Sequence, residues 1–332
     1  MAAASGRGGS SGSGGEAAAG SGGGGAPGSP DRVSFVHGLS DVSSVKVCFA
    51  RASGEPLGSP APEQGLGYGA HLTLSELPGV SFEQDDLDLL LFAGELERIA
   101  GLDCAAAVAL ARSLAEAAED AGPAGGAAGA AGASNPGVVL PPLLAAPLVR
   151  IPAGTFFGGR SALLVGKGCF AGRTDPEITS VCGDGYSPAA PTLEPVIVAL
   201  SRSVEFDRVG VQVVHATTDA GSFDVVLRLV DGTTRAVAAN LGPGTVAPAS
   251  NPAFVADSRQ LEPATATVEV LAPVTGAVLQ NIALDRVQEL GGLAEWQNAR
   301  GYALVVIGPT PALRAEGFWN QPAVTVVPAQ PD

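Results

Sequence analysis

From Asp31 onward the chain is a succession of short apolar runs broken by Gly, Pro, Ser and Asp. Residues 31–38, 45–50, 70–76 and 87–94 are such runs, followed by 148–151, 161–166 and 194–201. The second half adds 208–216, 222–232, 234–242, 266–273, 277–284, 301–308 and 321–328. Many short β-forming runs at fairly regular spacing, with turn residues between them, predict an all-β fold. Asp231-Gly232 after one of these runs is a hairpin signal. Strands alternating with long helices, the signature of a parallel sheet, are not seen.

The pattern repeats. Residues 36–49 align with 214–227 at a constant offset of 178, and five of the 14 positions are identical. These are Val36/Val214, His37/His215, Asp41/Asp219, Ser44/Ser222 and Val47/Val225, with Ser40/Thr218 chemically similar. Upstream, Asp31-Arg32-Val33 returns as Asp207-Arg208-Val209. Near the two ends, 194–198 resembles 321–325, and 162–166 resembles 303–308. The expectation is two tandem antiparallel β-sandwich domains of immunoglobulin-like type, 31–202 and 205–328. The first copy is longer because residues 95–121 are rich in Ala, Leu and Glu, which favour a helix. A helical insertion over about 95–137 is therefore expected in the first domain, with 122–137 as its flexible loop.

Composition narrows the role. Of 332 residues, 46% are hydrophobic and 15% charged, enough apolar material for a core. Eighteen Lys and Arg against 33 Asp and Glu give a net charge of −15, which argues against nucleic acid as a partner. No apolar run reaches the ~18–20 residues of a membrane span. Residues 1–30 hold 12 of the 46 glycines and read as a disordered Gly/Ser coil with an end-to-end distance of about 30 Å. The segment has no apolar core of a signal peptide. It is either an idle tail or a tether whose membrane anchor or export signal lies upstream of Met1.

Few residues offer chemistry. His37 and His215 each precede an Asp by four positions, Asp41 and Asp219. A His–Asp pair can orient an imidazole for proton transfer or metal binding. No third ligand or nucleophile recurs with it, so the favoured reading is structural: the His ends a strand and the Asp caps the following turn. His71 reads as a surface strand residue. Glu83, Asp85, Asp86 and Asp88 lack the ligand spacing of a calcium loop. Gly166-Lys167-Gly168 falls short of a phosphate loop, and Gly65, Gly67 and Gly69 do not open a helix. No catalytic residue, cofactor or metal is expected.

Cys48, Cys104, Cys169 and Cys182 all lie in the first copy. Four cysteines allow three pairings, and four reduced thiols are the remaining alternative. Strand alternation sets Val45, Val47 and Phe49 on the core face and Lys46 and Cys48 opposite. An insertion carrying Cys104 and lying over that outer face would pair Cys48 with Cys104, leaving Cys169 with Cys182. The competing arrangement pairs Cys48 with Cys169 or Cys182 at a sheet end.

Val214, His215, Ala216, Asp219, Ala220, Asp224 and Val225 resemble the opening of the bacterial domain-of-unknown-function 4397 family. The first copy resembles it through Val36, His37, Ser40, Asp41 and Val47, departing at Lys46, and both copies lack the family's turn proline. The resemblance implies an extracytoplasmic β-sandwich surface protein with no assigned activity. Its Gly/Ser tether resembles the spacer of bacterial surface lipoproteins. The resulting expectation is a non-catalytic, secreted or cell-surface protein with a structural, adhesion or partner-binding role. The partner would be another surface protein or a glycan. The alternative is a glycan- or calcium-binding module, for which only Trp296 and Trp319 supply large aromatic platforms. A hydrolase would need a nucleophile, a base and oxyanion donors in one cleft.

Overall fold

The structure is a computed structural model that describes residues 32–120, 143–156, 161–170, 181, 182, 186, 191–249, 252–255, 257–309 and 322–330. The expected tether over 1–30, the expected loop over 122–137 and Trp319 lie outside the described residues.

Among the described residues, seventeen strands form four sheets. In the first half, β1 (Arg32–His37), β4 (His71–Thr73), β7 (Ser161–Lys167) and β8 (Glu194–Leu200) form an inner sheet in the order β4-β1-β7-β8. The outer sheet has β2 (Ser44–Arg51), β3 (Pro56–Gly67), β5 (Leu87–Ala93) and β6 (Leu144–Ile151) in the order β3-β2-β5-β6. In the second half, β9 (Val209–Thr217), β12 (Val246–Ala247), β16 (Gly301–Gly308) and β17 (Ala323–Pro328) are ordered β12-β9-β16-β17, with β13 (Ala253–Val255) also on β9. Its outer sheet takes β10 (Phe223–Arg228), β11 (Thr234–Leu241), β14 (Thr267–Leu271) and β15 (Val278–Ala283) in the order β11-β10-β14-β15. Leaving β13 aside, the order and direction of pairing match strand for strand between the halves.

The expectation of purely antiparallel sheets needs correction. β1 runs parallel to β7, and β9 parallel to β16. A parallel neighbour needs a long crossover, usually a helix. Here the chain crosses through the whole outer sheet instead, so no strand–helix alternation announces it.

Three apolar cores separate the four sheets. Val33 and Phe35 of β1 meet Val45, Val47 and Phe49 of β2 in the first half. Val209, Val211 and Val213 of β9 meet Phe223, Val225 and Leu227 of β10 in the second. Between the inner sheets lies a third core. Val36, Leu163, Val165, Val196 and Val198 pack there with Val214, Ala216, Ala303, Val305 and Ile307. This seam explains why β1, β9 and β16 are buried at every residue, for both faces of each strand are covered. Polar groups peg it as well: Arg32 Nη1 donates to the Gln330 carbonyl at 3.1 Å, and Ser161 Oγ donates to that of Ala329.

The insertion is a 3-10 turn, Leu96–Ile99, followed by α1 (Cys104–Asp120). Asp103 Oδ1 accepts the Ala106 N–H at 2.7 Å, capping the helix start. Cys104, Ala107 and Ala111, spaced three and four apart, form its buried stripe against Cys48 and Phe92 on the outer face of the sheet. Cys48 and Cys104 are disulfide-bonded with Cα atoms 5.9 Å apart, and Cys169 and Cys182 with Cα atoms 5.4 Å apart. Lys46, beside Cys48, is buried under the same insertion and donates to the Leu96 carbonyl at 3.4 Å. The second half has its own helix, α2 (Leu284–Gly291), packed on β17 and β15.

Candidate functional site

The paired histidines come first, being the most reactive groups the sequence singles out. Each stands at the end of a central inner strand, β1 or β9, where its backbone is fixed by neighbours on both sides. Both side chains are 0% exposed. The His37 ring reaches over the next loop. Its Nε2 donates to the Val42 carbonyl at 3.0 Å, and its Nδ1 accepts the Leu39 N–H at 3.3 Å. At His215, Nε2 donates to the Gly221 carbonyl at 2.7 Å and Nδ1 lies 3.4 Å from Thr217 Oγ1. The His37 imidazole is neutral, since Nε2 donates while Nδ1 accepts. Burial pushes the His37 pKa down to about 3 against the bond to Val42. Burial likewise lowers that of His215, helped by the Lys167 cation and opposed by the Gly221 bond and Asp219.

Asp41 reaches well beyond its own turn. Both oxygens of Asp41 accept the Phe170 N–H, at 2.8 and 3.0 Å, which ties the loop after β1 to the loop after β7. This tie left no local signal in the sequence, because Phe170 lies 129 positions away. Beside it, Ser40 Oγ donates to Thr218 Oγ1 at 3.4 Å, so the two histidine loops touch across the seam.

The other candidates resolve into structural parts. Asp85 pairs with Arg51 at 3.4 Å, and Asp86 accepts the Ala153 N–H at 2.8 Å. Lys167 pairs with Glu194 at 2.7 Å. Gly168 has φ +99°, and a Cβ there would lie 1.9 Å from the Thr192 carbonyl oxygen, so glycine is required for chain passage. Trp296 is 7% exposed and packs edge-on to Tyr302 at 4.9 Å, which leaves no open aromatic platform there. His71, expected at the surface, is half-buried on β4 and faces a cavity at the seam. Among the described residues, no group of three or more His, Cys, Asp or Glu is arranged to hold a metal. No helix among them is long and apolar enough to cross a membrane.

No protein-family model matches the chain, and no curated protein matches it. Solved structures similar to it include two proteins each provisionally named an adhesin. One, from Bacteroides ovatus, is 9% identical with a TM-score of 0.18, over 89% of this chain and 93% of that one. The other, from Bacteroides thetaiotaomicron, is 9% identical with a TM-score of 0.22, over 92% and 99%. Likenesses this distant assign neither a family nor a function to the chain.

Proposed function

We propose that the chain is a non-catalytic secreted or cell-surface protein, built by tandem duplication of one immunoglobulin-like β-sandwich and acting in structure, adhesion or partner binding. The observation that carries this reading is the matched use of His37 and His215. At equivalent strand ends, both rings close the following loop through backbone carbonyls and are buried, which lowers the pKa of each. A proton-transfer or metal-binding imidazole needs a free nitrogen facing its substrate or ion. Supporting the duplication are the matched sheet orders and the meeting of Ser40 with Thr218, aligned residues that touch where a local two-fold axis would pass. Supporting export are the two disulfides, which persist in oxidising compartments. The resemblance of 214–225 to the domain-of-unknown-function 4397 family points the same way.

The test is the pH dependence of stability. In the unfolded chain these histidines titrate near 6.5; in the folded chain His37 titrates at about 3 and the His215 pKa is lowered. Lowering the pH therefore protonates the unfolded state first, and stability falls between pH 6.5 and about 3. For His37 alone the loss at pH 5 is about 2 kcal/mol relative to pH 7.5. Urea titrations at the two pH values should show it, and His37→Gln should remove that share of the slope. Stoichiometric zinc in the purified protein, lost on His215→Ala, would overturn the structural reading.

A further inference from the structure

One cavity at the seam has a charge at odds with the rest of the chain. It lies where β1 and β4 of the first half meet the turn after α2 and the start of β16, and its volume is about 330 Å³. That is within the size range of small-molecule sites, ~300–1,000 Å³. Arg32, His71, Glu295, Gln297, Arg300 and Tyr302 line it. In a chain of net charge −15, two arginines and one of three histidines converge on this space.

Arg32 decides the chemistry. It is 5% exposed. Its Nε donates to Ser34 Oγ at 3.2 Å and its Nη1 to the Gln330 carbonyl at 3.1 Å. Neither acceptor is charged, and among the described residues no carboxylate forms an ion pair with it. A buried guanidinium without a counterion is unfavourable by several kcal/mol, and its planar fork of five donors matches a carboxylate. The negative features described nearby have partners of their own. Glu295 is exposed and takes a bond from Gln297 at 3.4 Å. At the end of α2, the Gln288 and Glu289 carbonyls are already capped by the Leu293 and Gly292 N–H groups. Glu295 and Gln297 at the rim are suited to hydroxyl groups, which both donate and accept.

We infer that this cavity binds one acidic sugar residue of the uronic-acid class, its carboxylate on the Arg32 and Arg300 side and its hydroxyls toward Glu295 and Gln297. The inference deepens the partner-binding reading and rests on it for its purpose, whereas the site itself rests on Arg32. The experiment is calorimetric titration of the full, oxidised chain with glucuronate and galacturonate, and with glucose, acetate and phosphate as controls. Saturable uronate binding is expected, with glucose and acetate each weaker by about tenfold or more. Arg32→Lys, which keeps the charge and loses the fork geometry, should weaken uronate by about tenfold, and Arg300→Gln should weaken it similarly in a chain whose melting transition shows it folded. No saturable uronate binding up to about 10 mM would overturn the inference, as would equal affinity for glucose. Phosphate binding as tightly as uronate would also overturn it, by showing a bare anion pocket. A chain that binds uronate yet resides in the cytoplasm would contradict the surface reading and leave the site standing.

Discussion

Val305→Asp is expected to unfold both halves together rather than loosen one of them. Val305 is 0% exposed, lies at the middle of β16 opposite Val214, and belongs to the seam core. A carboxylate there has no partner on either inner sheet, and an uncompensated buried charge is unfavourable by about 3–5 kcal/mol. Because the seam joins the two inner sheets, the loss falls on both halves. The contrasting variant is Ile197→Asp. Ile197 sits on β8 between the seam residues Val196 and Val198 but points outward and is 41% exposed. Its substitution should change stability by no more than about 0.5 kcal/mol. Urea denaturation followed by tryptophan fluorescence, which reports the second half, and by hydrogen exchange of the β1 and β2 amides, which reports the first, measures both. Equal effects of the two substitutions, or a Val305→Asp chain whose first half keeps its native stability, would show that the seam contributes little.

Opening the Cys48–Cys104 bridge should be the second large effect. The bridge closes a loop of 56 positions, worth about 4 kcal/mol by restriction of the unfolded chain. That is a sizeable fraction of the ~5–15 kcal/mol that holds a typical domain. The bridge also fixes α1 to the outer face of the sheet, where the helix's buried side chains beside Cys104 are small, Ala107 and Ala111, and Val108, Leu110 and Leu114 pack there only partly buried. The Cys48→Ala/Cys104→Ala chain should therefore lose protection of the 104–117 amides first, while β9 and β16 keep theirs. Removing Cys169–Cys182, which spans 13 positions, should destabilise by about 3 kcal/mol. Hydrogen exchange with mass readout tests this. Unchanged exchange over 104–117 would show that the helix is held by its apolar stripe alone.

How much of the fold is legible in the sequence depends on the element. Alternating Phe223, Val225 and Leu227 mark β10 and its inward face directly, and the Ala-rich block after residue 95 marks α1. β3 is not legible. Its twelve residues include Gly58, Pro60, Pro62, Gly65 and Gly67, which suppress strand propensity. It forms at the edge of its sheet, where proline is tolerated, with register shifts against β2. α2 is only eight residues long, and its signal is the pair Leu284 and Val287 with a left-handed Gly292 at φ +66°. The seam left a trace that a two-domain reading passes over. Residues 209–216 and 302–307 are apolar almost without alternation, which is the mark of a strand covered on both faces. The seam cavity left none. Arg32, His71 and Arg300 are far apart in sequence and converge only when the halves meet.

The surface assignment stands or falls on where the chain resides and in what redox state. The decisive measurement is alkylation with a thiol-blocking reagent in the native organism, followed by fractionation and intact-mass analysis of the unfolded chain. A surface protein should be recovered outside the cytoplasmic membrane with none of the four cysteines alkylated. Recovery from the cytoplasm with all four cysteines alkylated would contradict the assignment.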